Sequence, residues 1–123
     1  MLAGRAAESR DVRQARRDLA LAEFLYTVRA VREGMLTEGP TPEESRVLAD
    51  HASYLEGLAK AGVVETAGRT QNLDASTFGI IILSADNESA ARQVMENDPA
   101  VLGGVMRAEL FPFRTAFRRR NQP

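Results

Sequence analysis

The chain has 123 residues, 44% of them hydrophobic and 27% charged, the composition of one globular domain rather than a disordered or membrane-spanning chain. With no Cys and a single His, a thiol nucleophile, a disulfide framework and a Cys-based zinc site are excluded, and all imidazole chemistry falls to one residue. The net charge of −1 conceals a segregation: residues 1–20 hold five Arg against Glu8, Asp11 and Asp18, residues 114–123 hold four Arg and no acid, and the stretch between them holds seven basic and fourteen acidic residues.

Residues 1–22 carry a thin apolar stripe, Val12, Ala15, Leu19 and Ala22, and are expected to form a leader, either a loosely packed helix or a disordered extension. They lack an apolar core followed by a small-residue cleavage site, so a secretory signal is not expected. No apolar run approaches the ~18 residues of a membrane helix. The cytoplasm is the expected compartment, with no membrane partner.

From Glu23 onward the pattern alternates: Phe24, Tyr26, Val28 and Ala30 interleave with Leu25, Thr27, Arg29 and Val31, the period of a strand. Arg32 to Pro40 reads as a loop from its Gly and Pro punctuation. Thr41-Pro42-Glu43-Glu44 then opens a helix, with Thr41 as N-cap, Pro42 in the first turn and Glu44 completing a capping box. Val47, Leu48, His51, Leu55, Leu58 and Ala59 share one face of that helix, and Gly62 is its expected stop.

Val63 to Thr70 is a second strand and Gln71 to Ser76 a polar turn. Phe78 to Leu83 is an unbroken apolar strand, which implies burial on both faces or a central position. Asp86 or Asn87 caps a second helix through Glu96, with Ala90, Ala91, Val94 and Met95 inward. Asn97-Asp98-Pro99 ends it, a short turn follows to Leu102, and Val105 to Phe113 is the last strand. Pro112 removes a ladder donor there and predicts an edge.

The order β-α-β-β-α-β predicts an α+β, ferredoxin-like fold: a four-stranded antiparallel sheet with two helices on one face. The first and third strands would be central. The face without helices would carry Val105, Phe111 and Phe113, too apolar a set to leave in water.

His51 is either a satisfied core histidine or a general acid or base, since an imidazole titrates near neutral pH. Asp98 has the position of an N-cap before Pro99, and its second oxygen is free to accept from an imidazole N–H. Arg69, next to Gly68 at the end of the second strand, is either a binder of an anionic substrate or a solvated edge charge. Tyr54 and Tyr26 offer hydroxyls to a pocket, or pack in the core with a wet tip. Arg118, Arg119 and Arg120 lack interleaved aromatics and read as a solvated tail; an acidic domain also repels phosphate, so no nucleic-acid partner is expected. No phosphate loop, nucleophile elbow or metal-spaced cluster is present, so neither cofactor nor metal is expected.

Taken together, Asp50-His51-Ala52-Ser53-Tyr54-Leu55 with Leu58 and Gly62, the strand ending Ala67-Gly68, the apolar third strand, Asn97-Asp98-Pro99 and the closing Glu109-Leu110-Phe111-Pro112-Phe113 resemble the YCII-related (YciI-like) family. The most telling parts are His-x-x-Tyr-Leu and Asp-Pro. The resemblance spans roughly residues 23–117, leaving residues 1–22 as leader and 118–123 as basic tail. It implies a dimeric α+β barrel with a His–Asp pair, here His51 and Asp98, as the active site, and relatives that act on chlorinated or hydroxylated aromatic breakdown products. The chain departs from the family in placing Arg69 after Gly68, where the family has proline.

Two functions follow as expectations. The first is a cofactor-independent small-molecule enzyme of lyase, isomerase or dehalogenase type, in which His51 moves a proton, Asp98 orients it, and Arg69, Tyr54 and Gly68 form the substrate side. The alternative is a non-catalytic ligand-binding or regulatory module of the same fold. Both carry a homodimer through the helix-free sheet face. Light scattering at micromolar concentration is expected to give twice the 13.5 kDa chain mass; a monomeric mass would contradict it.

Overall fold

Period-two burial defines the first strand: Phe24, Tyr26 and Val28 are buried, while Leu25, Thr27 and Arg29 lie on the opposite face, half-buried. In the computed structural model, which describes residues 21–120, this strand is β1 (Ala22–Ala30). After it come α1 (Gly34–Thr37), α2 (Pro42–Lys60), β2 (Val64–Arg69), β3 (Gly79–Ala85), α3 (Glu88–Glu96), α4 (Pro99–Leu102) and β4 (Met106–Phe113). The strands pair antiparallel in the order β2-β3-β1-β4, so β1 and β3 are central and the Pro112-bearing β4 is an edge. This is the ferredoxin-like α+β layout. Most of the leader expected at 1–22 lies outside the described residues, as do the last three residues of the tail.

Local chemistry places the helices as their end residues dictate. The Thr41 side chain accepts from the Glu44 backbone N–H and Glu44 accepts from that of Thr41, closing the capping box that starts α2. Gly62 then takes a positive φ of 81°, a conformation open to glycine, and turns the chain into β2. Asn87, rather than Asp86, caps α3 by accepting from Ala90 N–H at 2.8 Å.

The structure differs from the sequence reading in two places, and at β3 it selects one of two expected alternatives. The Arg32–Pro40 loop contains the single turn α1, held inward by buried Met35. On α2, Tyr54 joins the half-buried face and Ala59 is exposed; no residue of this helix is fully buried, because it flanks the sheet rather than lying across its centre. On β3, only the alternate residues Gly79, Ile81, Leu83 and Ala85 are buried, so its continuous apolar character reflects a central position and not equal burial of both faces.

The core lies between the sheet and the helices. Phe24, Tyr26, Val28, Val64, Ile81 and Leu83 meet Ala91 and Met95 of α3, and Leu55 and Leu58 of α2 pack against them. Among the described residues the other face has no helix. Its rows are readable from the register, since directly opposed residues share a face: Ile82, Leu25 and Phe111 form one line, and Ser84, Glu23 and Phe113 the next. Phe111 and Phe113 are 42% and 36% exposed there. Beyond β4 the chain folds back over the end of the sheet, where Thr115 donates to Glu23 from its backbone N–H and its hydroxyl, and Arg118 pairs with Glu65 of β2. No helix among the described residues is long and apolar enough to cross a membrane.

Candidate functional site

Asp98 is a carboxylate with no exposure to solvent. It is placed there by backbone chemistry: α3 ends at Glu96, Pro99 opens α4, and Asp98 between them has the extended φ, ψ of an N-cap (−62°, 124°). Its Oδ1 accepts from the Ala100 backbone N–H at 3.0 Å. The same oxygen lies 2.6 Å from Nδ1 of His51, carried in from the middle of α2. Its Oδ2 accepts from the Tyr26 hydroxyl of β1 at 2.8 Å. One oxygen therefore serves both helix cap and imidazole; the division expected from the sequence, one oxygen for each, does not hold because Tyr26 takes the other.

The Tyr26 hydroxyl and the Ala100 N–H donate to Asp98, one to each oxygen, so its third contact, His51 Nδ1, is read as a donor as well. Removing a charge from water costs several kcal/mol unless hydrogen bonds and a partner compensate, and here both oxygens are engaged. The geometry also assigns the tautomer of His51. Nδ1 donates to Asp98, so in the neutral ring Nε2 carries the lone pair. No described residue bonds to Nε2, and the His51 side chain as a whole is 15% exposed.

Two tyrosines frame the pair. Burial, then the charge of Asp98 and the hydrogen bond to it, push the Tyr26 pKa far above its usual 10, keeping the hydroxyl protonated and donating. Tyr54, one turn along α2 from His51, donates to the Val94 carbonyl at 2.7 Å and so ties α2 to α3; burial and then the charge of Asp98 raise its pKa as well.

Gly68 and Arg69 are exposed at the far end of edge strand β2, and neither bonds to His51, Asp98 or Tyr54 among the described residues. Arg69 opposes Gly79 and so shares the helix-covered face with Tyr26. Sheet spacings put their backbones on the order of 12 Å apart. Cavities among the described residues open elsewhere, including one of about 950 Å³ under the C-terminal segment, lined by Glu23, Glu65 and Arg118 among others, and one of about 180 Å³ beside Arg29 and Arg107. Neither is lined by His51, Asp98 or Tyr26. Among the described residues no group of three or more His, Asp and Glu is placed to hold a metal ion.

The sequence pattern of the YCII-related domain matches residues 22–114. The chain belongs to that family. The fold agrees with that of a solved structure: 5-chloro-2-hydroxyhydroquinone dehydrochlorinase of Burkholderia phenoliruptrix, in complex with 2,5-dihydroxybenzoquinone, superposes with a TM-score of 0.54 over 74% of this chain and 93% of its own at 21% identity. SnoaB, a cofactor-independent oxygenase of Streptomyces nogalater, gives 0.43 over 80% and 96% at 14% identity. No curated protein matches the sequence significantly.

Within the YCII-related domain, then, three elements distant in sequence converge on one carboxylate, and Tyr26 is the participant that sequence patterning leaves among the ordinary core residues. Its signal is the strand period, which buries Tyr26 completely, combined with the rule that a buried phenol needs a partner. Tyr26→Phe leaves Oδ2 of Asp98 without its donor and is expected to cost about 1–3 kcal/mol in urea unfolding at neutral pH. The sign in alkali follows from the raised pKa: the folded state holds the phenolic proton more tightly, so this contribution is full below about pH 10 and lost as pH rises further. The variant is expected to flatten that fall, and an unchanged alkaline profile would contradict the assignment.

Proposed function

We propose that this YCII-related domain is a cofactor-independent enzyme acting on small, cyclic, hydroxylated or halogenated molecules, with His51 as general base and acid. The observation that supports this reading is the hydrogen bond of His51 Nδ1 to a fully buried Asp98, which turns a nitrogen lone pair outward. Nε2 removes a proton from an acidic C–H or O–H of the substrate; the electron pair left behind forms a new double bond as a leaving group such as chloride departs, or shifts to a neighbouring carbon that is then reprotonated. The imidazolium formed at His51 is stabilised by the carboxylate of Asp98, with no change in the overall charge of the protein–substrate complex before the leaving group departs. The reaction for which the structurally similar 5-chloro-2-hydroxyhydroquinone dehydrochlorinase is named, removal of hydrogen chloride from a hydroxylated ring, falls in this class. Tyr54, Gly68 and Arg69 form the substrate side in this reading, Arg69 by reaching over the helix-covered face towards an anionic group. The working unit is a cytoplasmic homodimer joined through the helix-free face, whose apolar row Ile82, Leu25 and Phe111 would otherwise face water.

A second reading, a non-catalytic ligand-binding module, is favoured by one observation: neither cavity is lined by His51. The two readings separate in one assay. A panel of chlorinated and hydroxylated hydroquinones, followed by absorbance and released chloride, is expected to yield a turned-over member, with His51→Ala and Asp98→Asn lowering turnover by about 10²–10⁴-fold. Unchanged turnover in both variants would end the proposed mechanism. Thermal stabilisation by a panel member without conversion would favour the binding module.

A further inference from the structure

On the helix-free face the register sets Arg29 of β1 directly opposite Arg107 of β4. Directly opposed residues have Cβ atoms about 4.5–5.5 Å apart, and like charges in that relation destabilise a sheet. The usual remedy, a carboxylate between them, is missing: neither arginine forms an ion pair with any described residue. Glu109 is on the same face two residues along β4, and Glu33 is exposed at the rim, yet neither closes on the two guanidinium groups. The half-buried Arg29 holds its guanidinium carbon 4.9 Å from the centroid of the Phe78 ring, a cation–π contact that orients the group without neutralising it. Arg107 makes one long bond, from its Nη1 to the Ala30 carbonyl at 3.4 Å.

Both arginines line the smaller cavity, of about 180 Å³, with Glu33, Leu36 and Thr77. That volume is the share of about six waters and below the size of a drug-sized pocket. Thr77 does not compete for a ligand, since its hydroxyl already donates to the Asn72 carbonyl. Each guanidinium carries five N–H donors, of which one is used between the two among the described residues.

We propose that Arg29 and Arg107 bind a small oxyanion, a carboxylate or phosphate group, at this corner of the helix-free face, on the side of the sheet opposite to His51. The anion relieves the like-charge register and takes the paired N–H donors that suit carboxylate and phosphate geometry. Glu33 limits the net positive charge of the site, so it is a built-in brake on affinity. The acidic body of the domain gives no long-range attraction, and binding therefore depends on these direct contacts. The site lies four residues along β1 from the apolar row Ile82, Leu25 and Phe111.

Calorimetric titration of the full chain with inorganic phosphate and, separately, with malonate, at low ionic strength and low chloride, tests the proposal. Saturable binding of one anion per chain is expected. Arg107→Gln should weaken it by about tenfold or more, Glu33→Gln should tighten it, and His51→Ala should leave it unchanged. Arg107 is exposed, so its replacement preserves the fold, which an unchanged thermal midpoint verifies. Preference for phosphate or for malonate identifies which of the two oxyanion types the corner was shaped for. No saturable binding of either up to about 10 mM, or binding that Arg107→Gln and Glu33→Gln do not shift in opposite directions, would overturn it. The same holds if Arg107→Gln instead dissociates a dimer, which would assign the pair to a carboxylate of a second copy.

Discussion

A single buried carboxylate organises the helix-covered side of this domain. Asp98 has no exposed surface, yet it is joined to the central strand by Tyr26, to the longest helix by His51 and to its own short helix by the Ala100 N–H. An isolated charge in that position would be prohibitive; with donors at both oxygens it becomes a junction that fixes how α2, α4 and β1 meet. The orientation of His51 is a consequence. A half-buried imidazole on a flanking helix has many rotamers available, and the bond to Asp98 selects the one that presents Nε2 outward. The packing and the candidate chemistry are thus one arrangement.

The two faces of the sheet divide the remaining properties. The helix-covered face holds the core and the Asp98 junction. The opposite face holds an apolar row at one end and, at the other, an arginine pair with no ion-pair partner among the described residues. The arginine pair is readable only from register, because residues 29 and 107 are far apart in the chain and each alone resembles an ordinary surface charge.

What the sequence disclosed was mainly local. The Thr41–Glu44 capping box, the Gly62 stop and the Pro112 edge are encoded within a few residues each, and all three are present as read. The pairing of His51 with Asp98, 47 positions apart, was legible through the resemblance to a known family and not through spacing. Tyr26 was not legible as part of that pairing, since its strand period specifies burial but not the partner of its hydroxyl. The turn around Met35 was hidden for a related reason: Gly and Pro mark a break in regular structure, and only tertiary burial of one side chain winds the segment into a helical turn. The sharing of Oδ1 between cap and imidazole depends on the third donor and so lies beyond any two-residue argument.

The central claim is that Asp98 fixes the tautomer and direction of the His51 ring. Nitrogen-15 NMR of the single histidine, recorded across its titration, measures this directly. In the neutral ring Nδ1 is expected to carry the hydrogen and Nε2 the lone pair, and Asp98→Asn to abolish this preference. A neutral ring protonated at Nε2, or a mixed population unaffected by Asp98→Asn, would contradict it.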